Sequence, residues 1–287
     1  MTAIPCSAVT IRRDIHESIG RSDVELRVFD ELASTNDFEK ACAADTADAR
    51  AGLAPTLCLA RTQTNGRGRM GRSFHSPADS GLYMTVAYTT TAPLCDAVRI
   101  TAGAAVAAAT AIHALTGKQP LIKWVNDLYL DGGKLCGILT EGVTLPPTAE
   151  GLPRTRMVVG IGINLTTRAF PADLRAPAAS LFTPAEEAAT GGLPLPVGTL
   201  AGEIARRLLA LAENTSSDFP GGVDGNACLA YYRAHALLTG RRVVCTRGDE
   251  VFHAVAEGVD DAYCMVLRME DGAIRLLDSG EASVRSD

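Results

Sequence analysis

The stretch "LIKWVNDLYLDGGKLCGILTEG", residues 121–142, decides the fold of this chain. Two runs of β-forming residues flank Asp131-Gly132-Gly133, a stretch typical of the turn in a β-hairpin. Asp127 lies on the first run and Lys134 begins the second, so a hairpin brings their side chains onto neighbouring strands. We therefore predict an antiparallel hairpin that carries a carboxylate beside an ammonium group.

Such a pair suits two different roles. A fixed cation can stabilise the negative charge that develops during acyl or phosphoryl transfer. The alternative is a solvated surface ion pair, which contributes roughly 0–1 kcal/mol to stability. Gly137, on the second run, lets either a ligand or another strand approach the backbone closely, so it leaves both roles open.

The second informative stretch is "GRGRMGR", residues 66–72, which interleaves three glycines with three arginines. Glycine tolerates positive φ, so backbone N–H groups can turn toward an anion, and guanidinium groups suit phosphate or carboxylate. No Gly-Lys-Ser/Thr follows, so this is not a Walker A loop. Repulsion among the cations predicts a loop that is mobile when empty and closes on an anion. The alternative is an exposed loop that touches RNA.

Two shorter motifs also have alternative interpretations. In "GIGIN", residues 160–164, glycines within an apolar strand favour either a flat wall against a ligand or tight sheet packing. In "STN", residues 34–36, the hydroxyls and the amide can bind a urea-like ligand or cap the helix that follows.

The rest of the chain predicts a mixed α and β domain followed by a small β domain. Strands are predicted at residues 24–32, 56–64, 81–90 and 156–165. Helices are predicted after Ser34 and at residues 100–117, 199–214 and 226–240. Irregular connections are predicted at residues 142–155 and 166–197. After Gly240, four short strands separated by turns about 8–10 residues apart predict a small antiparallel barrel.

Composition excludes several classes of protein. The 287 residues, 47% hydrophobic and 21% charged, are typical of a soluble globular protein, and a net charge of -6 argues against general nucleic-acid binding. The eight cysteines show no CxxC or Cys/His spacing, which predicts reduced thiols in a cytoplasmic protein and no metal held mainly by side chains. The Ala-rich run 100–117 predicts a buried helix rather than a membrane span, and no secretory signal is visible.

In combination, the motifs resemble those of biotin–protein ligases. Their order is Ser-Thr-Asn, Gln-Thr-x-Gly-Arg-Gly-Arg-x-Gly-Arg, Lys-Trp-x-Asn-Asp-Leu with a lysine seven residues after the Asp, and Gly-x-Gly-Ile-Asn. The resemblance covers residues 24–285 and implies an α+β fold. A class II synthetase-like catalytic domain, a mixed sheet with helices, is expected at residues 23–238, and a small SH3-like β-barrel at residues 239–287. Residues 1–22 are left unassigned.

The resemblance implies an ATP-dependent ligase. Such enzymes join biotin to ATP, giving biotinyl-5′-AMP and pyrophosphate, and transfer the biotinyl group to one lysine of a biotin carboxyl carrier protein. Mg²⁺ is expected with the ATP phosphates. Some members carry an N-terminal winged-helix repressor domain, for which residues 1–22 are too few. The expectation is therefore a monofunctional enzyme that binds neither DNA nor membrane; a homodimer is left open.

The resemblance also implies roles for individual residues. Lys134 and Arg69 are expected to neutralise the reacting anions, and Asp127 to orient the acceptor lysine or the metal. The residues implied in biotin binding are Ser34, Thr35, Gln63, Arg67, Arg69, Lys134, Gly160 and Gly162. Those implied in binding ATP or the adenylate are Arg67, Arg69, Phe74, Asn126, Lys134, Asn164 and Arg285.

Two positions depart from the family pattern, and three other interpretations remain. Val125 replaces the usual proline after the tryptophan, and Phe74 replaces a common tryptophan, with less area and no N–H donor.

A lipoate–protein ligase shares the fold and the adenylate chemistry, although the Gly/Arg loop favours biotin. A nucleic-acid-binding module would need interleaved aromatic residues, and the loop offers only Phe74. A relative that only binds biotin is disfavoured by Lys134.

Overall fold

The computed structural model describes residues 7–45, 54–91, 97–174, 176–213 and 225–284. Seven strands within these ranges form the larger of two sheets. They are β1 (Glu25–Leu32), β2 (Thr56–Gln63), β3 (Gly81–Thr90), β4 (Leu121–Lys123), β5 (Asp127–Leu130), β6 (Gly133–Leu145) and β7 (Arg154–Asn164). Their order is β1-β2-β3-β7-β6-β5-β4, and only β1 and β2 run parallel. The predicted mixed sheet is confirmed.

Helices cover both faces of this sheet. In the described ranges they are α1 (Ala8–Ile19), α2 (Thr35–Asp45), α3 (Ala97–Thr116), α4 (Pro184–Thr190), α5 (Val197–Glu213) and α6 (Gly225–Ala234). The hydroxyl of Thr101 on α3 donates to that of Thr140 on β6 at 2.9 Å, whereas Asn36 on α2 approaches Gly160 on β7. Because Gly160 is opposite Leu139 rather than Thr140, and side chains alternate along a strand, α2 and α3 lie on opposite faces.

Helix α3 belongs to the core. In the described part of the chain, α3 is the one helix whose length and composition would allow it to cross a membrane. However, 61% of its apolar stretch is buried inside the protein. Its alanines pack against α5 and β6, because small side chains let the elements approach closely. The helix ends at Thr116, followed by Gly117 with φ +72°, as the sequence predicts.

Residues 8–19, which the sequence left unassigned, form a helix packed on α5. Ser7 caps its first turn, and its buried residues include Ile11 and Ile15. A Cβ at Gly198 or Gly202 of α5 would lie 2.5 Å from the Ile11 carbonyl oxygen or 2.7 Å from the Ser18 side chain. The two glycines, four residues apart on one face of α5, therefore allow the close approach of α1.

The hairpin predicted at residues 121–142 is present. Strands β5 and β6 are joined by Asp131 and Gly132, which both have positive φ, +50° and +81°, as a type I′ turn requires. The Trp124–Val125 peptide bond, just before β5, is cis. Strand β6 continues to Leu145 and β7 begins at Arg154, so the loop predicted at residues 142–155 is shorter than expected.

Two other predictions, one for an irregular connection and one for the end of a helix, are wrong. The connection predicted to be irregular contains α4, which Thr183 and Glu186 cap reciprocally: the Thr183 hydroxyl accepts from the Glu186 N–H, and the Glu186 carboxylate accepts from the Thr183 N–H. Helix α6 ends at Ala234 instead of continuing to residue 240. The chain beyond it is extended because Ile122 on β4 exchanges backbone hydrogen bonds with His235 and Leu237.

The C-terminal segment forms a second, antiparallel sheet of five strands. They are β8 (Arg242–Arg247), β9 (Glu250–Val259), β10 (Met265–Arg268), β11 (Ile274–Leu277) and β12 (Glu281–Val284), in the order β11-β10-β9-β8-β12. The sequence predicted four strands and missed β12, which returns to pair with β8. The indole N–H of buried Trp124 donates to the carbonyl of Tyr263 at 2.8 Å, which ties this sheet to the hairpin.

Candidate functional site

One row of paired residues crosses four strands of the large sheet and forms the floor of the site. Lys123 is opposite Asp127, Asp127 is opposite Gly137, and Gly137 is opposite Gly162. Residues opposite one another share a face, here the face that carries α2. Gly137 and Gly162 have no side chains, so they leave open floor on this face of the sheet. The charged residues Lys123 and Asp127 lie at one end of that floor.

Phe74 occupies the space above these glycines. A Cβ at Gly162 would lie 2.6 Å from the Phe74 ring, and a Cβ at Gly137 would lie 3.3 Å from it. The same Cβ at Gly137 would lie 3.4 Å from Nζ of Lys134. The glycines therefore accommodate an aromatic ring from the Gly/Arg segment, and Lys134 borders the same floor.

Gly160 accommodates a different side chain, Asn36. A Cβ at Gly160 would lie 2.2 Å from Oδ1 of Asn36, which accepts from the hydroxyl of Thr85 at 2.7 Å. Nδ2 of Asn36 donates to the carbonyl of Leu139 at 3.2 Å and to Glu141 at 3.0 Å. For Asn36 the sequence predicted only that its amide, as part of "STN", binds a urea-like ligand or helps to cap the helix. Its hydrogen-bond partners Thr85, Leu139 and Glu141 are too distant in sequence to be predicted from that motif.

A pocket of about 330 Å³, including the part open to solvent, lies between α2, β2 and this floor. It brings together seven of the residues with predicted binding roles: Ser34, Thr35, Gln63, Arg67, Phe74, Gly160 and Gly162. The other lining residues are Asn36 and Gly137, whose roles the sequence left open, and Met84, Leu139 and Ile161, which had no predicted role.

Hydrogen bonds orient the polar wall of the pocket. The backbone N–H and the hydroxyl of Thr35 donate to Oε1 of Gln63 at 2.9 and 3.2 Å, and Nε2 of Gln63 donates to Ser76 Oγ at 3.1 Å. Ser34 Oγ accepts from the backbone N–H of Asp37 at 3.3 Å. Ser34 thus both caps α2 and lines the pocket; contact of "STN" with a urea-like ligand stays a prediction.

Carboxylates hold Arg67 at the edge of the pocket. Its guanidinium pairs with Asp37 and lies 3.5 Å from Glu141, and Lys40 pairs with the same carboxylates at 2.9 and 2.8 Å. The hydrogen bond that Arg67 donates to Asp37, together with the charge of Glu141, raises the pKa of Arg67. Burial of Asp37 opposes its ionisation, but Lys40 and Arg67 hold its pKa below the usual value. An incoming anion must therefore displace carboxylates to engage Arg67.

A chain of polar contacts runs along the hairpin beside the pocket. Nζ of Lys134 lies 2.7 Å from Asp127, and Nδ2 of Asn126 donates to the same carboxylate at 2.9 Å. Oδ1 of Asn126 accepts from Arg69 at 2.9 Å. Burial lowers the pKa of Arg69, while the charge of Asp127 opposes this shift. The structure thus brings together the three predicted catalytic residues.

The backbone of Lys134 is fixed by the segment at residues 177–179. Its N–H donates to the carbonyl of Pro177 at 2.8 Å, and its carbonyl accepts from the N–H of Ala179 at 2.9 Å. Nδ2 of Asn164 donates to the carbonyls of Ala179 and Lys134 at 3.2 and 3.4 Å, and Asn164 is only 5% exposed. Asn164 therefore helps to hold the backbone of Lys134 in place; its contact with an adenylate stays a prediction.

The Gly/Arg loop folds onto the C-terminal sheet. Gly68 N–H donates to the carbonyl of Arg72 at 2.7 Å, which closes the loop. Arg69 donates to the carbonyl of Gly280 at 3.3 Å, and Arg72 pairs with Glu281 at the start of β12. Arg285, predicted to reach the nucleotide, lies outside the described residues.

No group of three or more His, Cys, Asp or Glu side chains suited to a metal occurs in the described ranges. Asp127 is the one carboxylate in the row of paired residues that forms the floor. A metal here would be held mainly by ligands that the substrate brings.

Comparisons with known proteins agree with this geometry. The model of the biotin/lipoate A/B protein ligase family matches residues 35–164. The chain is 32% identical over 219 residues to the bifunctional ligase/repressor BirA of Bacillus spizizenii, covering 76% of this chain but only 62% of that protein, less than two thirds. It is 30% identical over 231 residues to a biotin–[acetyl-CoA-carboxylase] ligase of Paracoccus denitrificans, covering 75% of this chain and 87% of that protein.

The fold is also that of a solved structure. The biotin protein ligase of Aquifex aeolicus in complex with biotin and ATP superposes with a TM-score of 0.64 at 22% identity, covering 92% of this chain and 99% of that chain. This likeness shows the fold, and the family model together with the Paracoccus relative places the chain in the class of the biotin and lipoate protein ligases. Within that class, the chain belongs to the biotin–protein ligase family.

Proposed function

We propose that this protein activates biotin with ATP as biotinyl-5′-AMP and transfers the biotinyl group to one lysine of a biotin carboxyl carrier protein. The observation that carries the proposal is the continuity of one surface. A pocket with a hydroxyl and amide wall, at Thr35 and Gln63, opens along a glycine floor onto the Lys134–Asp127 pair. Family membership and the named relatives support the same reaction.

The first step requires two anions to meet. A carboxylate oxygen of biotin attacks the α-phosphorus of ATP, the bond from that phosphorus to the bridging oxygen breaks, and pyrophosphate leaves with the electron pair. Lys134 neutralises both reacting groups and binds the more highly charged transition state more tightly than the ground state. Asp127, at 2.7 Å, fixes the position of the ammonium on the hairpin.

The arginines complete the neutralisation. Arg67 exchanges its contacts with Asp37 and Glu141 for the entering anion, and Arg69, held by Asn126, faces the same charge from the loop. In the second step, the amine of the acceptor lysine attacks the carbonyl carbon of the mixed anhydride, and AMP leaves. Polar groups around the anhydride must retain it until the carrier arrives, a role that suits Arg69.

Mg²⁺ bound to the ATP phosphates supplies further positive charge in the first step. Its protein ligands are few, because the described residues contain no cluster of metal-binding side chains. We assign Asp127 as the carboxylate that helps to hold the ion or to orient the acceptor lysine. We place the reaction in the cytoplasm, where ATP and carrier proteins are available.

The experiment that tests this function compares two vitamins. Purified protein is incubated with ATP and Mg²⁺ plus either biotin or lipoate, and pyrophosphate release and the acyl adenylate are measured. We expect biotinyl-5′-AMP with biotin, little product with lipoate, and labelling of an added carrier domain. Adenylation of lipoate in preference to biotin would assign the chain to the lipoate branch, and no adenylate with either acid would overturn the proposal.

A further inference from the structure

Thr85, on β3, contacts two residues that line the pocket. Its hydroxyl is 2.7 Å from Oδ1 of Asn36 and 2.8 Å from Oγ of Thr35. These three residues are at most 4% exposed, so bulk water does not compete for their contacts. A hydroxyl has one proton to donate and lone pairs that accept, so the proton of Thr85 can serve only one of its two neighbours.

Glu141 decides which neighbour receives that proton. Nδ2 of Asn36 donates to the carbonyl of Leu139 at 3.2 Å and to a carboxylate oxygen of Glu141 at 3.0 Å, and both groups only accept hydrogen bonds. If the amide of Asn36 were turned over, Oδ1 would face these two acceptors and be repelled by them. Oδ1 is therefore held toward Thr85, and the proton of Thr85 goes to Asn36.

The hydroxyl proton of Thr35 then has two acceptors. One is Oε1 of Gln63, at 3.2 Å, and the other is Oγ of Thr85, at 2.8 Å, whose own proton points to Asn36. When the proton of Thr35 turns to Thr85, Oε1 of Gln63 keeps the bond from the Thr35 backbone N–H, at 2.9 Å. Oγ of Thr35 and Oε1 of Gln63 then each have a lone pair for a ligand in the pocket.

We propose that Glu141 is a positioning residue that prepares the pocket for a ligand with N–H groups. It acts through a relay of three further residues, Asn36, Thr85 and Thr35. The carboxylate fixes the amide, the amide accepts from Thr85, and Thr85 accepts from Thr35. Each proton stays on its own atom and only its direction changes. The inference rests on the proposed function, because the ureido ring of biotin supplies the N–H groups.

The relay also contributes to the choice between the two vitamins. The ureido ring of biotin carries two N–H groups, whereas the dithiolane ring of lipoate carries none. Lipoate in this pocket would leave the lone pairs of Thr35 and Gln63 without a donor and away from water, which weakens its binding.

Glu141 also acts on Arg67, and this effect has the opposite sign. The carboxylate lies 3.5 Å from Arg67 and pairs with Lys40 at 2.8 Å. Removing its charge releases Arg67 and should strengthen the binding of an anion, including the carboxylate of biotin. Biotinamide keeps the ureido ring but has no carboxylate, so its affinity reports on the relay without this charge effect.

Glu141→Gln should reverse the relay. Lys40 and Arg67 attract the single oxygen of the new amide, so its NH2 group faces Asn36 and favours the turned-over orientation of that residue. Asn36 then no longer accepts from Thr85, and the pocket wall loses one acceptor for the ligand.

Calorimetric titration of the full chain with biotinamide measures this loss. The matched control is Glu257→Gln, since Glu257 is a carboxylate that pairs with Arg268 on the C-terminal sheet. We expect Glu141→Gln to bind biotinamide about 3- to 10-fold more weakly than wild type, the loss of one neutral hydrogen bond. Glu257→Gln should bind as wild type does. An affinity of Glu141→Gln equal to or tighter than that of Glu257→Gln would overturn the inference.

Substitutions of Thr85 test whether Glu141 acts through the relay. Thr85→Val removes the hydroxyl and should weaken biotinamide binding, whereas Thr85→Ser keeps it and should recover that affinity. Added to Thr85→Val, Glu141→Gln should cause no further loss, because the path between the carboxylate and Thr35 is already broken. The full loss in both backgrounds would show that Glu141 acts by another route. Equal affinities of Thr85→Val and Thr85→Ser would contradict the relay even if Glu141→Gln failed to fold.

The titrations also separate this inference from the proposed function. A wild type that binds neither biotin nor biotinamide overturns the proposed function and the relay with it. A wild type that binds and adenylates biotin, while Glu141→Gln binds biotinamide as tightly as Glu257→Gln does, overturns the relay alone.

Discussion

Nζ of Lys134 lies 2.7 Å from a carboxylate oxygen of Asp127, across a hairpin closed by a two-residue turn. The two side chains are 31% and 16% exposed, so solvent reaches the pair while the hairpin fixes its geometry. The ammonium borders the same glycine floor as the pocket. Lys134 can therefore form a partly solvated ion pair and also act as a catalytic cation. Mutation of Lys134 separates its contribution to stability from its contribution to the reaction rate.

Lys134→Ala should abolish most adenylate formation while the protein stays folded. Loss of a preorganised charge that stabilises a transition state typically lowers the rate about 100- to 1,000-fold. The ion pair itself is partly exposed, so its loss should cost only about 0–1 kcal/mol of unfolding free energy. Pyrophosphate release and a thermal melt on the same sample measure both effects. Release at the wild-type rate would contradict the assignment of Lys134.

Arg69→Gly should shorten retention of biotinyl-5′-AMP. The guanidinium links Asn126 on the hairpin to the carbonyl of Gly280, so its removal takes away both an anion contact and a link between the domains. We expect the intermediate to dissociate about 10- to 100-fold faster, as for a lost charged hydrogen bond. The measurement is the release of labelled adenylate after dilution, with Arg268→Gly as the control. A dissociation rate equal to that of the control would argue against an anion clamp at Arg69.

Features set by local sequence were predictable. The stretch Asp131-Gly132-Gly133 predicted the hairpin. A helix cap within "STN" was predictable because that role depends only on the next few residues, and the structure shows that Ser34 provides it. The residues of the pocket wall came from motif order, and the structure brings Thr35 and Gln63 into direct contact.

Features set by distant partners were not predictable. The docking of α1 depends on Gly198 and Gly202, which are separated from it by the entire sheet in sequence. Strand β12 was missed because its four residues gain their regularity from pairing with β8.

Acid should weaken the N-terminal cap of α4. The hydrogen bond from Lys118, then those from Thr183, lower the pKa of Glu186 from 4.5 to about 2. Because the folded-state pKa is depressed, this contribution is complete above the unfolded value of 4.5 and is lost as pH falls toward 2. Glu186→Gln lacks the titrating group, so its stability difference from wild type should shrink across that window. Chemical unfolding at a series of pH values measures this, and a difference independent of pH would contradict the capping role of the carboxylate.

Gly162→Ala tests whether the floor needs its glycines, and Phe74 provides the partner for a double-mutant cycle. The added Cβ would lie 2.6 Å from the Phe74 ring, so the ring must move, and overpacking of this kind costs about 1–3 kcal/mol. Phe74→Ala in the same chain should relieve that cost, giving a coupling energy between the two positions. Biotin affinity should stay weak in the double variant, because the methyl group still occupies the floor.

Gly137→Ala serves as the matched control for Gly162→Ala. Its Cβ would lie 3.3 Å from the same ring, so Phe74 needs to shift by only a few tenths of an ångström, and the stability loss should be smaller. Thermal unfolding gives the stability of each variant, and calorimetry with biotin gives its affinity. Strictly additive stability effects of Gly162→Ala and Phe74→Ala would mean that the ring does not rest on this glycine. Wild-type biotin affinity in Gly162→Ala would mean that the ligand does not use the floor, since a methyl group there must meet whatever occupies the pocket.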